Sequence, residues 1–300
     1  MLKLSRSAIV LGLLLLCLAP TAVSASDPVH WGYDGDLGPE HWGALSPEFA
    51  ACSAGQEQSP VDIPATAAVN PPGLGFDYRP SELNIVNNGH SIQVNYEPGS
   101  ALEIAGTTYE LLQFHLHALS EHTLDGAYTA MELHLVHKDA GGRIAVVGVM
   151  IEVGADNPAY EPILAHMPPE EGDPQTVSGT TVNAGDLLPV ERSYYRYNGS
   201  LTTPPCTEGV TWLVMATPVE LSTAQIAAFQ KLYDHNYRPV QPLNERTFLL
   251  TSALAPSALP STGGAGGAGG PAHLSLIGLC VLVAALGEAL SRRARRGASH

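Results

Sequence analysis

Short apolar runs separated by turn-forming residues fill the middle of the chain. Between His30 and Leu250 the sequence is dense in Gly, Pro, Asn and Asp, which interrupt runs rich in β-branched and aromatic residues. A stretch of roughly 200 to 250 residues with this pattern indicates a single mainly β domain. The predicted strands are 83–86, 91–96, 109–117, 130–137, 144–153 and 209–216.

Two features refine this prediction. Segment 144–153 is nearly all apolar, which predicts a central strand covered on both faces. Helices are expected at 158–167, which follows Asn157, and at 223–234, where Ile226, Phe229 and Leu232 recur at helical spacing behind Ser222. Both helices are expected to be packing elements.

The amino end has the layout of a secretory signal peptide. Lys3 and Arg6 precede an apolar run at 9–18, and small residues follow up to Ala25. We expect residues 1–25 to be removed and the exported domain to span 26–254. The alternative is an uncleaved membrane anchor, although the run is short for a span of about 20 residues.

The carboxyl end predicts a tether to a surface. Residues 255–272 form a Pro/Gly/Ala/Ser linker, 273–291 are mostly apolar, and 292–300 contain four arginines. This order predicts a membrane or sorting helix with a basic cytoplasmic tail, which leaves the domain secreted, on the extracellular or periplasmic side. Leu259-Pro260-Ser261-Thr262-Gly263 resembles the LPxTG signal of sortase substrates, so cell-wall attachment through Thr262 and a permanent transmembrane anchor both stay open.

Charge and cysteine content narrow the classes of partner and compartment. The formal net charge is −15, which argues against nucleic acid as a partner. Cys17 and Cys280 lie in the two terminal segments, so Cys52 and Cys206 are the cysteines left in the exported domain. They allow a single disulfide in an oxidising compartment, with two buried free thiols as the alternative.

Alternation along two predicted strands brings histidines to one face. In 109–117, Gln113, His115 and His117 share a face, and in 130–137 Glu132 and His134 share one. If these strands are antiparallel neighbours, three imidazoles converge. His137 has the opposite parity and is expected to point away.

Three neutral histidines with one open position are typical of a catalytic Zn²⁺ site, for which carbonic anhydrase is the standard example. Gln113 and Glu132 lie on the same face and are candidates to accept the second ring N–H of His115 and His134. For His117, a backbone carbonyl is the expected acceptor. An iron site with two histidines and one carboxylate is a rival interpretation, against which the third histidine argues.

These residues belong to an ordered series of motifs that resembles the α-carbonic anhydrases over almost the whole exported domain. The series is His30-Trp31-Gly32-Tyr33, Gln58-Ser59-Pro60-Val61, Asn87-Asn88-Gly89-His90, Gln113 to His117, Ser120-Glu121-His122-Thr123, Glu132 to His137, Ser200 to Pro205 and Arg238 to Asn244. The resemblance implies a mainly β (α+β) fold, with a central twisted, largely antiparallel sheet and a few short peripheral helices. It also implies a zinc lyase that hydrates carbon dioxide reversibly to bicarbonate and a proton through metal-bound hydroxide.

The resemblance carries further roles onto single positions. Thr202 and Glu121 match the pair that orients the hydroxide, and His90 matches the proton shuttle, a role suited to a side chain with an ordinary pKa near 6.5. Tyr33 and Asn88 match residues that order water. The positions that match substrate-binding residues are Val136, Val146, Leu201, Thr203, Val210, Trp212, Asn88 and Gln93.

We expect that the chain can form a homodimer. The alternative function is that of a surface binding or adhesion domain, similar to carbonic anhydrase but catalytically weak. Such a domain would typically lack a metal histidine or the hydroxide-orienting pair, whereas this sequence has all of them.

Overall fold

The computed structural model describes residues 29–70 and 73–249. The predicted signal peptide, linker, membrane or sorting helix and basic tail lie outside the described residues. Within the described ranges, no helix is both long and apolar enough to cross a membrane.

The described chain is built mainly from strands, with a few short helices at the periphery. The strands are β1 Asp62–Ile63, β2 Val69–Asn70, β3 Gly75–Asp77, β4 Ser81–Asn87, β5 Ile92–Asn95, β6 Ala101–Ile104, β7 Thr107–His117, β8 Thr123–Leu124, β9 Met131–Asp139, β10 Ile144–Val153, β11 Gln175–Val182, β12 Tyr194–Ser200, β13 Glu208–Met215 and β14 Val219–Leu221. The α-helices are α1 Trp42–Leu45, α2 Ala51–Ala54, α3 Glu161–Leu164 and α4 Thr223–Gln230, and 3₁₀ turns lie at Gly35–Leu37, Pro47–Phe49 and Ala184–Leu187.

One large mixed sheet organises the domain. Its main path runs β11-β4-β5-β7-β9-β10-β13-β12-β2, while β14 pairs with β10, and β3 joins through β6 to β7. Neighbours in this sheet are antiparallel except that β10 is parallel to both β13 and β14. The expected mainly β fold with a largely antiparallel twisted sheet is therefore confirmed.

The apolar segment β10 is the central strand that its composition predicts. It has the predicted bounds, its residues from Ala145 to Ile151 are buried, and it lies between β9 and β13. Side chains on one face, such as Val147 and Val149, join the larger core cluster. Those on the other face, Val146 and Met150, join a second cluster with Trp212.

A bulge in β7 decides which face carries its histidines. The register with β9 shifts between Leu111 and Gln113, so Leu112 is the extra residue. Before the bulge, Leu111 faces the larger core; after it, Phe114 and Leu116 do. The bulge therefore lets both halves of the strand bury apolar side chains on one face, while Gln113 and the histidines beyond it occupy the other.

The predicted helices are correct in position but too long. Helix α3 covers the four residues of Glu161–Leu164 instead of 158–167, because Pro162 sits near its start and Pro168 disfavours helix at the residue before it. Helix α4 begins behind Ser222, as expected, with a capping box to Gln225, and ends at Gln230.

A disulfide between Cys52 and Cys206 joins segments 154 residues apart, which confirms the predicted pairing. It packs with Trp42 in a small separate cluster. The fully buried Arg238 lies against this cluster and donates from Nη2 to the Cys52 carbonyl over 2.7 Å. The disulfide thus holds the amino-terminal segment next to the loop that contains Thr202.

We expect the double substitution Cys52→Ser, Cys206→Ser to lower the free energy of unfolding by about 5 kcal/mol, because the unfolded chain regains the entropy of an open loop of this length. Urea unfolding without reductant measures the change, and wild-type protein unfolded with reductant is the control. A free energy unchanged by the substitutions would contradict the role assigned to the disulfide.

Candidate metal centre and its cleft

Three histidine rings converge on the face of the sheet opposite the larger core. His115 on β7 lies directly across from His134 on β9 in the strand register, and His117 lies across from Glu132. The ring centroids are 5.0 Å apart for His115 and His117, 5.3 Å for His115 and His134, and 4.6 Å for His117 and His134. One ring nitrogen from each lies within 4.8 Å of the others, a spacing that allows all three to bind one ion.

The hydrogen bonds of the rings determine which nitrogens are free. His115 donates from Nδ1 to Gln113 Oε1 over 2.9 Å, and His134 donates from Nε2 to Glu132 Oε1 over 2.9 Å. His117 donates from Nδ1 to the carbonyl oxygen of Asn236 over 2.7 Å. Each acceptor leaves the other ring nitrogen with its lone pair exposed to the shared space.

This donor set fits a zinc ion. Nε2 of His117 is buried and has no hydrogen-bond partner among the described residues, which is costly unless a ligand binds it. Desolvation by burial lowers the pKa of all three rings, that of His117 to about 4, so the neutral form that binds a metal prevails at neutral pH. Three neutral imidazoles held by outer acceptors are what a catalytic zinc site requires.

The Glu132 carboxylate is fully paired. Oε1 accepts from His134 and from His122 Nδ1, the latter over 2.7 Å, and Oε2 accepts from the backbone N–H groups of Glu121 and His122, each over 2.8 Å. Burial raises the pKa of Glu132, but the two histidines outweigh this effect and hold it well below its usual range. His122, Glu132 and His134 also lie close enough to resemble a metal site, but these hydrogen bonds occupy the atoms that face one another.

The hydrogen bonds continue behind Glu132 into the core. His122 Nε2 accepts from the Tyr197 hydroxyl over 2.7 Å, and that hydroxyl is 2.8 Å from Ser59 Oγ. Gly148 leaves room for the carboxylate, because a Cβ at this position would come within 3.0 Å of Glu132 Oε1. His122 is fully buried and donates to Glu132, the group that orients His134.

Glu121 and Thr202 lie beside the free ring nitrogens. Glu121 is fully buried; its Oε1 accepts from the backbone N–H of Arg238 over 2.8 Å, and its Oε2 lies 3.7 Å from His117 Nε2 and 3.8 Å from His134 Nδ1. Burial raises the pKa of Glu121 to about 7, against which His134 and a hydrogen bond from the Thr202 hydroxyl act. The pair predicted from the sequence is thus brought together at the edge of the metal centre.

A cleft of about 130 Å³ opens above the histidines. The sequence-predicted residues that line it are Tyr33, Asn88, His90, Gln93 and Thr203, together with Gln113, His115 and His117. The His90 ring stacks on Trp31 with 3.7 Å between centroids, and its Nε2 lies 3.2 Å from the Trp31 carbonyl oxygen. These contacts hold His90 at the cleft with its ring partly exposed.

The apolar members of the predicted substrate-binding residues form a single group, which we call the apolar wall. Val136, Val146, Leu201, Val210 and Trp212 belong to one hydrophobic cluster on the histidine face of the sheet. The Trp212 ring lies 4.8 Å from the His134 ring, and its Nε1 donates to the Ser200 carbonyl over 2.9 Å. His137 lies elsewhere, as expected from its parity: it contacts Tyr78 through Nε2 over 2.6 Å.

Sequence reasoning did not identify three contributors to the site. The acceptor for His117 is the carbonyl of Asn236, 119 residues away, and a backbone carbonyl has no sequence signature. Arg238 N–H reaches Glu121 from the same returning segment. The stacking partner of His90 is Trp31, which lies inside one of the matched motifs but carries no pattern that indicates stacking.

Comparison with known proteins identifies the class of proteins that this chain resembles. The family model described as eukaryotic-type carbonic anhydrase matches residues 37–252. A carbonic anhydrase of Nostoc sp. is 45% identical over 231 residues, covering 75% of this chain and 88% of that protein, and one of Klebsiella pneumoniae is 45% identical over 240 residues, covering 79% and 96%. A solved structure, the complex of α-carbonic anhydrase from Thermovibrio ammonificans with the inhibitor sulfanilamide, is similar with a TM-score of 0.71 and 45% identity, covering 74% of this chain and 99% of that one.

We expect Glu132→Gln to weaken zinc binding by about 10- to 100-fold, because its NH₂ group cannot accept from the backbone N–H groups of Glu121 and His122 that now bind Oε2. The clash displaces the side chain and leaves the His134 ring poorly oriented. Competition with a chelator measures the affinity, and circular dichroism checks the fold. Glu110→Gln, an exposed substitution on β7, is the matched control. Equal zinc affinity in the two variants would contradict the orienting role of Glu132.

Proposed function

Since the chain belongs to the α-carbonic anhydrase family, we propose that His115, His117 and His134 hold the zinc ion with which it hydrates carbon dioxide. The chain is a carbonic anhydrase, a zinc enzyme that converts carbon dioxide reversibly to bicarbonate and a proton. The single observation that supports the ligand assignment best is the convergence of three lone-pair nitrogens whose partner nitrogens all donate to fixed acceptors.

When bound, zinc acidifies its water ligand and so supplies a nucleophile near neutral pH, a chemistry of which carbonic anhydrases are the standard example. The chain's contribution is to orient that nucleophile. The Thr202 hydroxyl lowers the pKa of Glu121, so we assign it as a donor to that carboxylate. Its oxygen lone pairs are then left to accept a hydrogen bond from the zinc-bound nucleophile. Glu121 is fixed for this purpose by the backbone N–H of Arg238.

Carbon dioxide is apolar, and the wall formed by Val136, Val146, Leu201, Val210 and Trp212 offers it a dry surface next to His134. Thr203, Asn88 and Gln93 line the cleft above His115 and His117 and provide polar groups there. The division favours an apolar substrate on one side and ordered water on the other. Burial of the wall excludes water from the reacting face and strengthens the electrostatic interactions there.

The proton released in each turnover must reach solvent, and His90 is the residue we assign to carry it. It lies in the same cleft as His115, with its ring partly exposed and stacked on Trp31. The proton passes from the metal centre to the His90 imidazole through water in the cleft. Tyr33 and Asn88 line the cleft, and we assign to them the role of holding this water.

We also propose that the protein is exported and is attached to the membrane or cell wall through its carboxyl end. We infer a signal peptide at 1–25, a catalytic domain at 26–254, a linker at 255–272 with the LPSTG motif, a membrane or sorting helix at 273–291 and a basic tail at 292–300. The Cys52–Cys206 disulfide supports an extracellular location, because such bonds persist in oxidising compartments. Mass spectrometry of the mature protein tests both ends: a terminus at Thr262 indicates cell-wall sorting, and an intact tail indicates a transmembrane anchor.

A homodimer is proposed as the assembly, and sedimentation of the exported domain tests it.

The alternative function, a surface binding domain with weak catalysis, is tested by the hydration assay itself. A chain that binds zinc but fails to hydrate carbon dioxide would favour that alternative.

We expect purified wild-type protein to contain one zinc ion per chain, and His134→Ala to lose both the ion and the hydration activity, because two imidazoles bind zinc far more weakly than three. Metal analysis and a carbon dioxide hydration assay measure the two effects. His137→Gln, on the same strand but the opposite face, is the control and is expected to retain its zinc. Full activity of metal-free His134→Ala would show that the mechanism is wrong.

We expect His90→Ala to lower kcat in dilute buffer by roughly tenfold or more, since an assigned proton-transfer group is lost, and kcat/KM to change little. Stopped-flow hydration kinetics measure both constants, and added imidazole is expected to restore part of kcat. The exposed His41→Ala variant is the control. Identical kinetics of His90→Ala and wild type would remove the shuttle assignment.

A further inference from the structure

Five polar side chains form a continuous row of hydrogen bonds from the cleft to the edge of the sheet. Asn88 Nδ2 donates to Gln93 Oε1 over 3.4 Å, and Gln93 Nε2 donates to Asn95 Oδ1 over 2.7 Å. Asn95 Nδ2 donates to Asn84 Oδ1 over 2.8 Å, and Asn84 Nδ2 donates to Thr176 Oγ1 over 2.9 Å. We call these residues the amide row.

Strand register places the amide row on the histidine face of the sheet. Gln93 lies directly opposite His115, and Asn95 lies directly opposite Gln113, whose carbonyl accepts from His115. Asn84 in turn lies opposite Asn95. The row is therefore the continuation, toward the sheet edge, of the polar groups that surround the metal centre.

The direction of every hydrogen bond in the row follows from the first residue. Asn88 Oδ1 accepts from the backbone N–H groups of His90 and Ser91 over 3.0 Å and 2.8 Å, which identifies this atom as the oxygen. The Asn88 NH₂ group must then face Gln93, so Gln93 presents its oxygen to Asn88 and its NH₂ group to Asn95. By the same reasoning, Asn95 presents its NH₂ group to Asn84, and Asn84 presents its NH₂ group to Thr176. Each NH₂ group in the row therefore points away from the cleft, toward the edge of the sheet.

This alignment leaves Gln93 a single orientation. Turning its amide over would place two NH₂ groups against each other on the Asn88 side and two carbonyl oxygens against each other on the Asn95 side. Aligned amides also polarise one another, which strengthens each bond in the row. Asn88 sets the direction of the Gln93 amide through a bond of 3.4 Å, and the shorter bond of 2.7 Å to Asn95 holds the amide in that direction. Asn84 holds Asn95 in the same way, over 2.8 Å.

Gln93 and Asn88 line the cleft together with His90 and His115, whereas Asn95 and Asn84 are not among its lining residues in the described structure. Asn95 therefore reaches the cleft through neighbours that line it, and of these Gln93 donates a hydrogen bond to its side chain. A fixed amide offers water one donor and one acceptor in constant positions, while an amide free to turn over would offer either in turn.

We propose that Asn95 and Asn84 are positioning residues that fix the amide of Gln93 and thereby order the water between the metal centre and His90. The inference rests on the proposed function, because it assigns a role in proton transfer to the same cleft. It extends the set of residues that serve this reaction to two side chains outside the cleft.

The test compares two substitutions of similar size at one position. Asn95→Leu removes the acceptor for Gln93 Nε2, whereas Asn95→Asp keeps an acceptor there. We expect Asn95→Leu to lower kcat in dilute buffer by about 3- to 10-fold, the factor that corresponds to one lost hydrogen bond. We expect kcat/KM to stay within about twofold of wild type and added imidazole to restore kcat, because a soluble proton carrier bypasses the ordered water. Asn95→Asp is expected to keep kcat within about twofold of wild type.

Thermal unfolding and zinc content show whether each variant is folded and loaded. If Asn95→Leu fails to fold, Asn84→Leu replaces it, and we expect the same pattern of constants with a smaller loss, since its effect passes through one more residue.

Three outcomes would overturn the inference: kcat unchanged in the leucine variants, an equal loss in Asn95→Asp, or a loss that imidazole does not restore. A wild-type chain that binds zinc without hydrating carbon dioxide would overturn the proposed function instead, and the two failures are thus distinguishable.

Discussion

The pairing of β7 with β9 is the constraint on which the rest of the site depends. Their register sets His115 opposite His134 and His117 opposite Glu132. All three ligand candidates and the carboxylate that orients His134 therefore meet on two strands, without any loop. The bulge at Leu112 makes this register compatible with burial, because apolar side chains before and after it face the same core. A slip by one residue would turn the histidines toward the apolar face and Phe114 toward the cleft.

Burial of so many polar groups is tolerated because most of them have a hydrogen-bond partner. Glu132 uses all its acceptor sites, and Tyr197 continues the hydrogen bonds toward Ser59. Four buried side-chain atoms of the described residues have no hydrogen-bond partner: Arg196 Nε, Arg238 Nε, His117 Nε2 and Glu121 Oε2. The last two lie 3.7 Å apart beside the three converging histidines. At His117 Nε2 a bound ion would offset a desolvation cost that otherwise destabilises the fold.

A single row of residues shows how the histidine face of the sheet is divided into a polar and an apolar part. From the edge strand inward, Thr176, Asn84, Asn95 and Gln113 are polar, and beyond them Val136, Val146 and Trp212 are apolar, each directly opposite the next in the strand register. The change occurs between β7 and β9, at the metal centre. An apolar substrate and a water-borne proton can therefore approach the same ion from different sides.

The sequence alone determined the parts of this protein that depend on local pattern. Alternation placed His115 and His117 on one face, an unbroken apolar run identified β10, and the cysteine count identified the disulfide partners, because strand parity, burial on both faces and pairing by elimination are all readable along the chain. Ordered motifs also indicated the family. Helix 158–167 was predicted too long, since prolines inside and after it limited what its composition favoured.

Only the tertiary structure decided contacts between segments far apart in sequence. The Asn236 carbonyl under His117, the Arg238 N–H at Glu121 and the Tyr197 hydroxyl at His122 come from segments 75 to 119 residues away from their partners. The bulge and the direction of the amide row likewise depend on how neighbouring strands align. Backbone groups carry no residue-specific signal, and an amide shows which way it points only when its partners are in place.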